Sequence, residues 1–148
     1  TMSSMQGELT VFTGAIGRAM FSPPHLAIID LIGHASDSFD EERGGISWQV
    51  EVSGSPGVVL QFREEILVSA LITLSSDAGE TAYPTAETLI DGLPLPSDRQ
   101  SVAARFGGPH QSEGLADLYV VDGVQLRFDF LESGPSALLT VAAEGVDV

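Results

Sequence analysis

The side chains best suited to acid–base or metal chemistry in this sequence are its three histidines, His25, His34 and His110. A metal site would need these histidines to converge, and none of them lies four residues from another or in a His-x-Glu motif. His34 and His110 each follow a glycine that is expected to end a helix, so they occupy similar loop positions. The histidines therefore predict neither a catalytic site nor a metal site.

Carboxylates are the next candidates for chemistry. A polar loop is predicted between residues 35 and 45, and its acidic residues are Asp37, Asp40, Glu41 and Glu42. Calcium loops place Asp or Asn at alternate positions, followed by a glycine and a distant Glu, and this spacing does not match. The adjacent pair Glu64-Glu65 would direct its side chains to opposite sides of a strand, so the two cannot flank one bond of a substrate. We interpret the acidic loop as a solvated surface or a contact surface for a partner.

Nucleophile and phosphate-binding motifs are missing from the sequence. The pattern Gly-x-Ser-x-Gly does not occur, and the lack of cysteine excludes thiolate catalysis, disulfides and cysteine-based metal sites. The run Phe106-Gly107-Gly108-Pro109 ends a predicted helix, whereas a phosphate loop would begin one. We therefore predict no catalytic residue, no cofactor and no metal.

The charge balance limits the class of partner. The chain of 148 residues has a formal net charge of −15, from 21 Asp and Glu against 6 basic residues, all of them arginine. Binding to nucleic acid or to an anionic membrane depends on clustered Lys and Arg, so neither partner is expected. A basic protein would be attracted and its association accelerated. The alternative is that the acidity serves solubility or reflects adaptation of the source organism.

Length and hydropathy are typical of one globular domain, which we place at residues 1–148. No apolar run approaches the ~20 residues that a transmembrane helix needs, and the N-terminus lacks the pattern of a secretory signal. These features predict a soluble, cytoplasmic protein.

Two helices can be located from their end signals. Ser22, followed by two prolines, predicts the start of one helix, and Gly33 its end. Ser97 and Gln100 form a capping-box pattern that predicts the start of the other, which ends at Gly107. Residues 1–21 fit a helix or a strand equally well.

Alternating apolar residues predict three strands after each helix. In the first half these are residues 46–52, 58–63 and 67–74, with Ile46, Trp48, Val50 and Val52 expected to face the core. In the second half they are residues 118–121, 124–130 and 137–141. The dipeptide Asp122-Gly123 predicts a type I′ hairpin turn, since both of its residues must have positive φ.

The two halves match in element order and in short motifs. Val58–Phe62 resembles Val124–Phe128, and Ser69–Leu74 resembles Ser136–Val141, which predicts an internal repeat of residues 22–74 and 97–141 joined by a crossover at 75–96. We predict an α+β fold, in which two tandem helix-then-three-strand units share one mostly antiparallel sheet with helices packed on one face. The other face would then be open, and would carry Gln49, Glu51, Gln61, Arg63, Gln125, Arg127 and Asp129.

The motifs Leu-Ile-Gly at 31–33 and Arg-Phe-Gly-Gly-Pro at 105–109, each followed by a strand with Trp or Tyr and a Leu-x-Phe strand, resemble the tandem-repeat architecture of the β-lactamase inhibitory protein and related small bacterial inhibitors. The second half also resembles small bacterial immunity proteins. The resemblance spans about residues 22–141 and implies a tandem-repeat fold. The sequence differs from that inhibitor family in its lack of cysteine and its shorter units, and no inhibitory residue can be carried over.

These observations favour a non-enzymatic acidic binding protein, specifically an immunity-type inhibitor of a basic bacterial toxin. The expected contact residues are Asp37, Asp40, Glu41, Glu42, Glu51, Arg63 and Asp129. Two alternatives remain open: a small enzyme or ligand-binding protein with a site between the helices and the sheet, and a dimerisation or scaffold module.

Overall fold

The computed structural model of the protein describes residues 7–53, 57–75 and 81–145. Strands dominate these ranges: β1 (Asp37–Arg43), β2 (Ile46–Ser53), β3 (Val58–Arg63), β4 (Ile66–Thr73), β5 (Gln111–Glu113), β6 (Ala116–Val121), β7 (Val124–Phe130) and β8 (Ser136–Ala143). They form one antiparallel sheet of eight strands in the order β1-β2-β3-β4-β8-β7-β6-β5. Each half is a four-stranded meander, and the last strands of the two meanders pair in the middle.

The helices are short: α1 (Leu9–Thr13), α2 (Pro23–Ile32) and α3 (Arg99–Phe106), with a 3₁₀ turn at Ala86–Thr88. Gly33 and Gly107 end α2 and α3 with positive φ, as the sequence predicts. The capping box at Ser97 is wrong by one residue, because Asp98 is the N-cap and its carboxylate accepts the Ser101 N–H at 2.8 Å. That bond stabilises the ionised carboxylate and lowers the pKa of Asp98.

The predicted fold class of two tandem helix-then-three-strand units is wrong. Strand makes up 44% of the structure and helix 20%, so the protein is a large antiparallel sheet with short helices. The strands missed from the sequence are β1 and β5, which lie at the two edges of the sheet and are exposed along their whole length. An edge strand needs no buried apolar face, and charged side chains there prevent pairing with other chains, so alternation cannot reveal it. The repeat of residues 22–74 and 97–141 and the single domain stay predictions.

The core lies between the helices and one face of the sheet. Leu9 and Phe12 of α1 and Ile28 of α2 are fully buried there. They pack in one cluster with residues of the sheet, which include Leu60, Phe62, Leu67, Ile72, Leu126, Phe128, Leu139 and Val141. Each of these large side chains contributes about 1.5–3 kcal/mol by leaving water.

The crossover between the halves also enters the core, through Leu89, Ile90 and Leu93. It is fastened to the start of α1 by the Glu8 carboxylate, which accepts hydrogen bonds from the hydroxyls of Tyr83, Thr85 and Thr88. Burial, and then the negative charge of Glu8, raises the pKa of Tyr83 to about 12. None of the helices in the described ranges has the length and apolar character needed to cross a bilayer.

Candidate partner-binding surface

Strand pairing sorts the side chains of the sheet onto two faces, because paired residues of antiparallel strands project to the same side. The face opposite the helices is called the open face here. In the described strands it carries Phe39, Trp48, Val50, Val59, Gln61, Arg63, Leu71, Thr140, Gln125, Arg127, Asp129, Leu118 and Val120.

The side chains of strand β2 point to the opposite faces from those predicted from the sequence. Gln49 pairs with Phe62 and Glu51 pairs with Leu60, and both partners face the helices. Trp48 and its apolar neighbours therefore lie on the open face rather than in the core. Alternation shows that two sets of side chains point to opposite faces, and it does not show which face the helices cover.

A second apolar cluster consequently forms on the open face, next to the sheet edge. Val50 is only 4% exposed although it lies outside the main core, and Phe39, paired with it across β1 and β2, is 42% exposed. The guanidinium carbon of Arg43 lies 4.9 Å from the centroid of the half-buried Trp48 ring. We call Phe39, Arg43, Trp48 and Val50 the aromatic patch.

The acidic residues of the predicted loop lie on strand β1, so the prediction of a loop is wrong. Asp37, Asp40, Glu41 and Glu42 are all exposed, but alternate residues of a strand point to opposite faces. Asp37 and Glu41 project from the open face, whereas Asp40 and Glu42 project toward the helix side. Gly44 and Gly45, both with positive φ, form the hairpin turn to β2 and were the local signal for this strand.

The other predicted contact residues are spread over the sheet. Arg63 is exposed at the end of β3 on the open face, and Asp129 of β7 lies on the same face, 3.1 Å from Arg127 Nη2. Five strand spacings separate β7 from β1, or about 24 Å, so Asp129 is not part of the acidic edge. Glu51 lies on the helix side, so it is the one predicted contact residue outside β1 that is absent from the open face.

Glu51 instead meets a histidine that sequence reasoning did not connect with it. His25, in the first turn of α2, is 1% exposed, and its Nε2 lies 3.4 Å from Glu51 Oε1. Its Nδ1 accepts the backbone N–H of Phe21 at 2.8 Å, and its ring meets the ring of Phe62 edge-on at 5.0 Å. The only local signal was the position of His25 in the first turn of an apolar helix.

An ion pair lies near the other edge of the sheet, in the second half of the chain. Arg99, at the start of α3, donates from Nε and Nη2 to the two carboxylate oxygens of Asp117, at 2.7 Å and 3.0 Å. Ser112 Oγ donates to the same carboxylate at 2.6 Å, and Arg99 also reaches the Gly114 carbonyl at 2.7 Å. Burial, and then the negative charge of Asp117, raises the pKa of Tyr119.

The remaining histidines, His34 and His110, are exposed. Within residues 7–53, 57–75 and 81–145, no group of three or more His, Asp or Glu side chains is placed to hold a metal ion.

No protein-family model matches the chain, and no curated protein matches it. Among solved structures, the chain is similar to an extracellular protein containing an SCP domain from Bacillus anthracis str. Ames, with a TM-score of 0.58 and 11% identity over 88% of this chain and 45% of that one. The chain thus spans less than half the length of that protein, and the likeness concerns the fold alone.

Two further solved structures align at lower scores. One is a cysteine-rich secretory protein from Staphylococcus aureus subsp. aureus Mu50, with a TM-score of 0.40 and 14% identity over 88% of this chain and 45% of that one. The other is a candidate β-lactamase inhibitor protein from Streptococcus mutans, with a TM-score of 0.31 and 14% identity over 92% of this chain and 98% of that one. The resemblance predicted from the sequence thus has a distant structural counterpart, at a score that carries no argument about function.

Proposed function

We propose that this chain is a non-enzymatic binding module that docks a basic protein against strand β1 and the aromatic patch beside it. The observation that supports the proposal is the juxtaposition of the two features at one sheet edge. Four exposed carboxylates lie on β1, and its one basic residue, Arg43, is already paired with Glu41 at 2.7 Å. Phe39 and Trp48 provide apolar area on the open face, from which Asp37 and Glu41 also project.

The two features would contribute differently to binding. Exposed carboxylates attract a basic partner over a distance and accelerate its encounter, but each adds little to affinity once the complex has formed. Aromatic side chains bury large areas with few rotatable bonds and commonly supply most of the binding energy. The carboxylates should therefore govern the association rate, and Phe39 and Trp48 the dissociation rate.

An immunity-type inhibitor of a basic bacterial toxin is the specific form of this proposal, since such a toxin has the required charge. We propose no site between the helices and the sheet, because the described side chains in that space pack together as the core. A dimerisation module would use the same surface with a second copy of the chain, and is an outcome of the test.

The partner can be captured with a photo-crosslinking amino acid placed at Phe39 in cells of the source organism. The same amino acid at Val120, which is also on the open face but at the far end of the sheet, is the matched control. A basic protein crosslinked from position 39 and not from position 120 is the expected result. Equal yields from both positions would refute the location, and crosslinking to a second copy of the chain would indicate the dimerisation module.

The purified partner then tests the role of charge. Neutralising β1 with Asp37→Asn, Asp40→Asn, Glu41→Gln and Glu42→Gln should slow association about tenfold at low salt and flatten its salt dependence. The control neutralises four exposed carboxylates elsewhere, with Glu87→Gln, Asp91→Asn, Glu132→Gln and Glu144→Gln. Equal slowing by both sets would show a general effect of net charge and would remove β1 from the proposal.

A further inference from the structure

The chain makes a strained turn just before α2. The Ser22 N–H donates to the Ala19 carbonyl at 3.1 Å, which closes a four-residue turn with Phe21 at its third position. Phe21 has φ of 64°, a left-handed conformation that costs a residue other than glycine about 1–2 kcal/mol. Its side chain is 66% exposed, so burial of the ring does not offset this cost.

A histidine ring holds Phe21 in this conformation. The Phe21 N–H donates to His25 Nδ1, and the two rings lie 5.6 Å apart. A ring nitrogen that accepts a hydrogen bond carries no proton, so the neutral ring has its proton on Nε2. That nitrogen lies 3.4 Å from Glu51 Oε1 but makes no hydrogen bond to it or to any other described residue.

Protonation of His25 would break its hydrogen bond with Phe21 and strengthen its contact with Glu51. A proton on Nδ1 makes it a donor, so it can no longer accept the Phe21 N–H, and two donors then face each other. At the same time the ring gains a positive charge beside the Glu51 carboxylate. Histidine is the side chain that ordinarily changes charge between about pH 5 and 8.

The charged groups near His25 lie on several elements. Glu51 of β2 faces it directly, and Asp40 of β1 lies on the same side of the sheet as Glu51. From β3 it meets the Phe62 ring, and α1 has no ionisable side chain. The other charged residues of the adjoining segments are Arg18 and Glu65, whose carbonyls accept from the Leu67 and Met20 N–H groups, and Asp30 of α2.

We propose that His25 is a pH-sensitive switch for the turn at residues 19–22: neutral His25 holds Phe21 in its left-handed conformation, and protonated His25 releases the turn and pairs with Glu51. The inference is independent of the proposed binding function. Its physical basis is a single atom, Nδ1, that cannot both carry a proton and accept the Phe21 N–H. The released turn would change how the Phe21 ring is presented at the surface.

NMR can follow the switch in a variant in which His25 is the sole histidine. His34→Gln and His110→Gln alter two exposed loop residues and leave one histidine to titrate. At neutral pH the ring nitrogens should report the tautomer with the proton on Nε2. On protonation, the protection of the Phe21 amide against hydrogen exchange, corrected for the intrinsic rate, should fall about tenfold, as expected for loss of one hydrogen bond. The Leu67 amide, bonded to the Arg18 carbonyl at 3.0 Å, is the internal control and should keep its protection.

Two variants separate the switch from a general loss of structure. In His25→Asn the side-chain oxygen can accept the Phe21 N–H but cannot titrate, so protection of that amide should no longer depend on pH beyond the intrinsic rate. In Phe21→Gly the strain is removed, and the turn should stay closed on both sides of the titration. The proposal would be overturned by a proton on Nδ1 at neutral pH. It would also be overturned if the protection of the Phe21 amide did not change as His25 titrates. The sole-histidine protein decides this even if a position-25 variant does not fold.

Discussion

Two contacts between the start of a helix and a carboxylate, one near each edge of the sheet, are built differently. In each half a residue at the start of a helix reaches a carboxylate on the strand next to the edge: His25 reaches Glu51 on β2, and Arg99 reaches Asp117 on β6. Glu51 has a single contact with its helix, between Oε1 and His25 Nε2 at 3.4 Å. Asp117, by contrast, has both carboxylate oxygens occupied by donors from Arg99 and Ser112.

The length of the neighbouring edge strand gives a physical reason for this difference. β1 pairs with β2 over seven residues, whereas β5 pairs with β6 over three. The short strand gains support from Arg99, since Ser112 and Gly114 at β5 are tied to the same ion pair. The long strand β1 pairs with β2 without such support, and the helix residue near Glu51 is a histidine.

The largest effect that would test this comparison is loss of the Arg99–Asp117 pair. Arg99→Ala leaves the 2%-exposed Asp117 side chain without its counter-charge, and we expect the free energy of unfolding to fall by about 2–4 kcal/mol. Urea denaturation measures this change. Arg63→Ala, which removes an exposed arginine from the other half, should change stability by less than about 0.5 kcal/mol. Equal losses in the two variants would contradict the structural role of Arg99.

The two-residue hairpin turns give a second, smaller contrast. Both β3–β4 and β6–β7 are joined by turns with two positive φ values, which Glu64 and Glu65 adopt in the first and Asp122 and Gly123 in the second. Glu65→Gly should raise the free energy of unfolding by about 1 kcal/mol, because glycine adopts this conformation without strain. Gly123→Glu is the reciprocal variant and should lower it by a similar amount. Destabilisation by Glu65→Gly would show that contacts of the Glu65 side chain outweigh its backbone strain.

Replacement of Glu51 should have a smaller effect still. Glu51→Gln should change the free energy of unfolding by less than about 1 kcal/mol at neutral pH, because it removes a single contact of 3.4 Å to His25. Urea denaturation measures this change. A loss as large as that caused by Arg99→Ala would contradict the difference between the two contacts.

The buried tyrosines should affect the free energy of unfolding only at alkaline pH. The pKa of Tyr83 is raised from 10.0 to about 12, so the folded state disfavours its phenolate. Its contribution to stability is therefore complete below pH 10 and is lost as the pH rises from about 10 toward 12. Tyr83→Phe should unfold at higher pH than the original protein in an alkaline titration followed by circular dichroism. An unchanged alkaline midpoint would show that another group, such as Tyr119, controls this transition.

The features that sequence reasoning located correctly are local ones. Gly33 and Gly107 end helices, and Asp122-Gly123 forms a hairpin turn with two positive φ values, because these conformations are decided within a few residues. The charged strand β1 escaped prediction because an edge strand is defined by its neighbour and not by its own hydropathy. The face of β2 was wrong for a related reason, since only packing against α2 decides that Glu51 and not Trp48 points toward the helices.

The predicted contact residues do not form one continuous surface. Asp37, Glu41, Arg63 and Asp129 share the open face, but Asp129 is at the far side of the sheet. The His25–Glu51 contact joins residues that lie far apart in the chain, and neither has a local signature. Contacts of this kind depend on strand register, which a single sequence does not encode in any short motif.

The pairing of β4 with β8 has a consequence for how the protein folds. Each meander can form from hairpins between neighbouring segments, but Ala70 must find Val141 across the whole second half of the chain. Loop closure over such a separation is slow, so we expect the two meanders to assemble first and to join late on the folding pathway. Substitutions such as Val141→Ala at this junction should then accelerate unfolding while leaving the folding rate nearly unchanged.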